Sequence, residues 1–364
     1  MTISYIIDRL YNINAGTERQ LYRLIEGMLA AGHTVDLYVL RDSEYTASVE
    51  NFPCKITNLN IQSIHSVRYW STLWTLRKTL ENKGYEVLHG FFNDVALTIP
   101  IAFLFSNIKV YTSRRDMGIW YSALSLMLLR LTAPTATQVI CNSKAVAKYS
   151  ADKEWKSMAK IAVIYNGISP LQQQSTSSQP EWYRPSQNPK VVLLANVRPI
   201  KRIEDLINAA HKLSIAGLAV DFYIVGDFPE PIYFDFLNKM IAEQGLEENI
   251  CFTGLLAEPR EHLHLFDMGV LTSDSEGLSN SILDSLDAGL PFIASHVGGN
   301  PELIEDNENG LLYNVGDSDQ LADCIERLAS NPKLRADFSR SAKQKAKHFD
   351  MQTMIRLHEA EYSF

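Results

Sequence analysis

Cysteine is scarce in this chain of 364 residues: Cys54, Cys141, Cys251 and Cys324 are all there is. They stand far apart, and three lie in apolar runs. That argues against a disulfide framework and for buried free thiols in a reducing compartment. No Cys/His cluster has the spacing of metal ligands, and no Asp-x-Asp pair stands at a strand end, so no metal is expected. No uncharged apolar run reaches the roughly 20 residues needed to cross a bilayer. The start, Met1 to Asp8, lacks a basic lead and its apolar run is too short for a signal peptide, so a cytoplasmic chain is expected. A dense basic stretch with interleaved aromatics is also missing, which leaves nucleic acid without support as a partner.

What is present is ordinary globular composition, 46% hydrophobic and 21% charged, at a length that suits two domains. The net charge of −8 is unevenly placed. Residues 1–167 hold 18 of the 34 basic and 13 of the 42 acidic residues, leaving 16 and 29 for the remainder. A basic first half and an acidic second half fit either an anionic acceptor or surface facing the first half alone, or solvated faces that happen to differ.

Short apolar runs alternate with helical patterns, which predicts βαβ units and parallel sheets. The first half offers strands at 3–7, 35–40, 87–91, 109–112, 138–141 and 161–165. A helix over 17–31 carries Leu21, Leu24, Ile25, Met28 and Leu29 on one face and stops at Gly32. Residues 168–189 change texture to Gln, Ser and Pro, which reads as a linker. Alternation then restarts, with strands at 191–195, 221–225, 250–253, 268–271 and 291–294. Helices are expected near 202–216, 233–244, 279–288, 319–329 and 349–362. Both halves therefore read as doubly wound α/β units. The expected domains are 1–167, joined by a helix at about 349–364, and 190–348.

The densest chemistry lies in Glu276-Gly-Leu-Ser-Asn-Ser-Ile-Leu-Asp284-Ser-Leu-Asp-Ala-Gly289-Leu-Pro291. An acid precedes a Gly and a short polar turn. A helix pattern then runs to Gly289, with a second acid eight positions after the first. The free amides of the helix start, over Leu278, Ser279, Asn280 and Ser281, suit a phosphate. The carboxylates of Glu276 and Asp284 suit sugar or ribose hydroxyls. The plain alternative is an amphipathic helix after a loop. In Arg198-Pro-Ile-Lys201-Arg202 two cations follow a strand end, where they can clamp a diphosphate and stabilise charge growing on a leaving group. The alternative is a solvated basic loop, and Arg202 competes for the part of Lys201. Gly16 opens the first helix and lets backbone approach an anion, or serves only the turn. Arg114, Arg115 and Asp116 follow a first-half strand and suit an acceptor's phosphate and hydroxyl, or an internal Arg–Asp bridge. The apolar stretch 119–131 reads as core, or else as a membrane-facing or lipid-acceptor surface.

These motifs resemble the retaining glycosyltransferase family 4. The two acids with seven residues between them match its signature, with Asp284 where Glu is usual. Asn12 to Glu18 resembles its Gly-Gly-x-Glu start, with Ala15 in place of the first Gly. Arg198 to Lys201 is similar to its Arg-x-x-x-Lys loop, one residue shorter. Asn166-Gly167, Gly226-Asp227, Phe252-Thr-Gly254-Leu255 and Gly298-Gly299 resemble further family turns. His89-Gly90-Phe91 stands where many members have His-x-His, so no general base is assigned and His89 reads as a core histidine. The resemblance covers about the whole chain and is densest over 254–312.

It implies the glycosyltransferase B architecture: two doubly wound Rossmann-like domains facing across a cleft, with the last helix crossing back to the first. It also implies a retaining, metal-independent transferase without cofactor. Such an enzyme takes a nucleoside-diphosphate sugar as donor and a glycan or lipid-linked sugar as acceptor, in making a bacterial surface glycan or glycolipid. Arg198 and Lys201 would neutralise the diphosphate, and Glu276 would bind the donor sugar. Asp284 would bind ribose, Gly254 and Leu255 would cup the base, and Gly16 would approach the donor phosphate. Peripheral contact of the first domain with the inner membrane is a further implication. A catalytically degenerate nucleotide-sugar binder and a sugar-nucleotide epimerase are the rival readings.

Overall fold

Strands separated by helices pair in parallel, because the crossover returns each new strand in the direction of the last. The computed structural model describes residues 1–364 apart from 15, 120, 156, 170–179, 257 and 364. Ala15, Trp120 and the 170–179 part of the expected linker thus lie outside the described residues.

One unit comprises Met1–Gly167 with Met351–Phe364, and the other Ile168–Asp350. The first runs β1 (Thr2–Ile7), α1 (Gly16–Ala30), β2 (Thr34–Val39), α2 (Glu44–Ser48), β3 (Lys55–Asn58), α3 (Val67–Asn82), β4 (Val87–Phe91), α4 (Asn93–Ala102), β5 (Lys109–Arg114), α5 (Ala123–Thr132), β6 (Gln138–Cys141), α6 (Lys144–Glu154) and β7 (Ile161–Val163). The second runs β8 (Lys190–Leu194), α7 (Ile203–Ile215), β9 (Asp221–Val225), α8 (Pro231–Glu243), β10 (Ile250–Gly254), β11 (Met268–Leu271), α9 (Asn280–Ala288), β12 (Phe292–Ser295), α10 (Asn300–Leu303), β13 (Gly310–Tyr313), α11 (Ser318–Ala329) and α12 (Pro332–Ala346). Helix α13 (Met351–Ser363) then rejoins the first unit.

The seven-stranded sheet has the order β3-β2-β1-β4-β5-β6-β7 and the six-stranded sheet β10-β9-β8-β11-β12-β13. In both, the strand order reverses beside the first strand. Open α/β sheets bind ligands at the carboxyl ends of strands flanking that point. In the first unit it lies between β1 and β4, and in the second between β8 and β11.

Periodicity explains the helices. Helix α1 buries Leu21, Leu24, Ile25 and Met28, and Gly32 follows it at φ +86°. Helix α13 buries Met354, His358 and Tyr362, one face of the helix. It packs on α1, where Gly27 leaves room for Ile355: a Cβ there would stand 2.1 Å from Ile355 Cδ1.

Three expectations change. Strands β3 and β13 are additional to those read from periodicity. The end of the expected linker is not a loose tether: Trp182 stacks on Phe266 and Tyr183 on Tyr223 in the second core. The part of the apolar stretch 119–131 that forms α5 is not core. Helix α5 buries only Leu129 and Thr132, while Leu124, Met127 and Leu131 are 57%, 51% and 66% exposed. Its apolar residues exceed what the packed side of one surface helix can cover.

Candidate functional site

The loops after β8, β9, β11 and β12 are tied together by hydrogen bonds to main-chain carbonyls and by a close backbone approach. The Asp274 amide donates to the Ile200 carbonyl at 2.9 Å, and the Thr272 hydroxyl to the Lys201 carbonyl. The Ser295 hydroxyl donates to the Ser273 carbonyl at 2.6 Å, and the Asn300 side-chain amide to the Ser295 carbonyl at 3.0 Å. Gly226 passes so close to β8 that a Cβ would lie 2.2 Å from the Ala195 carbonyl oxygen. The Gly298–Gly299 turn rests on Glu276. The Gly299 amide donates to the Glu276 carbonyl at 3.3 Å, and a Cβ on Gly298 would meet that oxygen at 1.7 Å. Glycine is required at 298 by this approach and by φ +50°.

On this frame Lys201 Nζ lies 2.6 Å from Glu276 Oε1, which also accepts the Ser273 hydroxyl at 2.6 Å. The expected cation and the expected sugar-binding acid are therefore neighbours, both partly buried. The competitor Arg202 is engaged elsewhere. It grips Asp205 with Nε and Nη2 at 2.7 and 3.0 Å, in a left-handed conformation that starts α7. Arg198 is exposed and has no partner among the described residues.

Helix α9 begins four residues past Glu276, at Asn280. Ser279 caps it, its hydroxyl accepting the Ile282 amide at 3.3 Å, and Gly289 closes it at φ +74°. The amides of the first turn point out of the helix end, as helix geometry requires. Leu278 is buried beneath the cap. Gly254 ends β10 at φ +76°, and Leu255 after it is 73% exposed, an apolar face left to solvent beside a strand end.

Asp284, on the buried side of α9, meets an arginine. It is 6% exposed and lies 3.1 Å from Arg260 Nε, within ion-pair distance though off the N–H axis, since that nitrogen makes no hydrogen bond. Arg260 also donates through Nη2 to Asp287 at 2.8 Å and to the Ser169 carbonyl at 3.0 Å. Burial raises the Asp287 pKa, opposed by Arg260. Sequence reading missed Arg260 because a single Arg in the short 3-10 helix Pro259–Leu265 carries no pattern.

In the first unit, Gly16 starts α1 at φ +60° with no described atom within 4 Å of its Cβ position. His89 is fully buried on β4, between the Tyr362 hydroxyl at 2.6 Å and the Ser113 hydroxyl at 2.9 Å. Burial holds its pKa well below the usual value, with His358 and Arg115 adding to the effect. It is a core histidine. Arg114 does not serve an acceptor. Its guanidinium is buried and pairs with Glu154 at 2.7 and 2.9 Å, so the internal bridge forms with Glu154 rather than Asp116. Asp116 accepts the Gly118 amide at 2.7 Å. Arg115 bonds the Asn166 side-chain oxygen. No cluster of His, Cys, Asp and Glu able to hold a metal occurs among the described residues.

Two family models match the chain. The one described as Glycosyltransferase Family 4 covers residues 14–170, and the one described as Glycosyl transferases group 1 covers residues 175–345. An N-acetyl-alpha-D-glucosaminyl L-malate synthase of Bacillus anthracis is 26% identical over 207 residues, 56% of this chain and 53% of the relative. The lipopolysaccharide core biosynthesis glycosyltransferase LpsE of Rhizobium meliloti (strain 1021) is 26% identical over 197 residues, 54% of this chain and 55% of the relative. The chain thus spans about half the length of these curated relatives. Among solved structures, Anabaena HepE in complex with UDP superposes with a TM-score of 0.85 over 100% of both chains, at 21% identity. That likeness is one of fold.

Proposed function

We propose that this chain, which belongs to the family 4 glycosyltransferases (glycosyl transferases group 1), moves a sugar from a nucleoside-diphosphate sugar to a glycan or lipid-linked acceptor in surface polysaccharide or glycolipid synthesis. The observation that carries this reading is the Lys201–Glu276 contact of 2.6 Å beside the start of α9, with Arg198 unpartnered nearby in sequence. A fixed cation, a carboxylate and a helix N-terminus at the ends of two adjacent strands are what a phosphorylated sugar needs.

In this reading Arg198, Lys201 and the first-turn amides of α9 take the diphosphate. Glu276 accepts donor-sugar hydroxyls, and Leu255 offers an apolar face to the base. Asp284, oriented by Arg260, takes the ribose. The anomeric carbon–phosphate oxygen bond breaks, and the acceptor oxygen bonds to the same face of that carbon. The acceptor's proton passes to the departing phosphate. Retention follows, no separate base is required, and the cations neutralise the charge that develops without calling on a metal. The first unit takes the acceptor.

The test is a thermal-shift screen of UDP, GDP and ADP sugars, followed by release of free nucleoside diphosphate with and without acceptors. Arg198→Ala and Glu276→Ala are each expected to lose about 10²–10³ in turnover while keeping the wild-type melting temperature. Wild-type rates in either variant remove that residue from the site. Binding without release of nucleoside diphosphate would indicate a binder instead, and turnover independent of acceptor an epimerase.

A further inference from the structure

Two adjacent arginines end β5, and the fold treats them in opposite ways. Arg114 is buried and fully compensated by the Glu154 carboxylate, which also accepts the Tyr121 hydroxyl. Arg115 has no carboxylate within ion-pair distance among the described residues. Its one hydrogen bond goes to the neutral Asn166 amide oxygen, and its guanidinium lies 6.0 Å from the centre of the Phe91 ring. The titratable neighbours that sense it, His89 and His358, are buried, with pKa values lowered mainly by desolvation, so they are neutral at pH 7 and supply no counter-charge. Desolvation pushes Arg115 itself down to about 10, which still leaves it charged at neutral pH. Arg115 is half-buried, and a partly desolvated cation without a counter-ion opposes folding. Such local violations are kept where function uses them.

The residues around Arg115 stand at the carboxyl ends of the first unit's strands. Phe91 ends β4, Arg115 follows β5, Asn142 follows β6 and Asn166 lies just past β7. The Asn142 side-chain amide donates to the Arg115 carbonyl at 3.3 Å, which holds the Arg115 backbone at these strand ends. The Arg115 Nη2 group donates to Asn166, while Nε and Nη1 make no hydrogen bond among the described residues and can each donate to an oxygen of an anion.

We propose that Arg115 anchors a phosphate or diphosphate carried by the acceptor, at the carboxyl edge of the first unit's sheet. This rests on the transferase reading for the word acceptor, and on the uncompensated charge for the anion. The phosphate belongs either to a lipid-linked sugar or to a free sugar phosphate. The exposed apolar residues that follow Arg115, namely Ile119, Leu124, Met127 and Leu131, would receive the chain of the former.

The experiment uses protein carrying Arg198→Ala and Lys201→Ala, so that the second unit's cations are silent. Thermal stabilisation is measured with inorganic pyrophosphate in one arm and citronellyl diphosphate in the other. Stabilisation is expected, and adding Arg115→Gln should weaken it about ten- to a hundred-fold in apparent affinity. Arg115→Gln should by itself leave the melting temperature unchanged or raise it. A stronger response to citronellyl diphosphate assigns the lipid-linked source, and an equal response the free one. The proposal is overturned if neither anion stabilises, if Arg115→Gln binds as before, or if Arg115→Gln unfolds or destabilises the protein as loss of an ion-pair partner would. UDP binding to the wild type is scored separately. UDP binding without an Arg115-dependent anion defeats this inference alone, and the reverse result defeats the transferase reading alone.

Discussion

Single residues show how far identity and environment diverge. Arg114 and Arg115 are the same residue type one position apart, yet only Arg114 meets a carboxylate. Arg198, Lys201 and Arg202 are three cations in five positions, and Asp205 takes Arg202 out of contention. Asp284 sits where sequence placed a ribose ligand, but Arg260 holds it. The sequence could present these candidates, because charge type and spacing are local. It could not choose among them, because Glu154 lies 40 residues from Arg114 in the chain. Arg114→Ala is expected to destabilise the first unit by about 3–5 kcal/mol, since it strands a buried Glu154. Chemical denaturation checks this, and a loss below about 1 kcal/mol would show that water or Tyr121 compensates the carboxylate.

At the scale of elements, α9 was legible in full. Ser279, the apolar period and Gly289 are local signals, and the helix spans Asn280–Ala288 as they require. Strand β13 was not, because four residues after an Asn-rich turn give too short a period to read. The role of the Gly298–Gly299 turn was only partly visible: glycine is readable, but what it lets approach is not. Gly298→Ala forces a methyl onto the Glu276 carbonyl and strains φ. Turnover is expected to fall about 10²-fold with the fold retained, the scale of an ångström-sized displacement of a reacting group. Steady-state rates beside a circular dichroism melt decide it, and an unchanged rate would mean that the turn yields without moving Glu276.

The whole molecule has the glycosyltransferase B fold, and its first unit is assembled from the two ends of the chain. Helix α13 brings Tyr362 to His89 across 273 residues, and buries His358 beside it. The Met354 carbonyl can only accept, so His358 Nδ1 carries the proton in that hydrogen bond at 2.9 Å, and Nε2 is left bare and unpartnered. Burial lowers the His358 pKa to about 4. In the unfolded chain it titrates near its ordinary 6.5, so the unfolded state takes up the proton first as pH falls. The stability this residue contributes is therefore intact above about pH 6.5 and is lost between there and about pH 4. His358→Gln should flatten that acid loss by on the order of 2 kcal/mol. Parallel urea melts at pH 7 and 4.5 measure it, and identical slopes in both proteins would show that the imidazole is already charged in the folded state.

The sequence by itself determined the parallel α/β class, the two halves, the helix start after Glu276 and the residue types gathered at strand ends. These rest on periods, caps and turns that act within about ten residues, so a linear reading reaches them. Tertiary structure alone decided which arginine is neutralised, which acid is held by Arg260, that α5 turns apolar residues outward, and that the last helix completes the first core. Those outcomes depend on burial and on partners far apart in the chain, and a side chain's charge or hydrophobicity acquires its consequence only once packing has fixed what surrounds it.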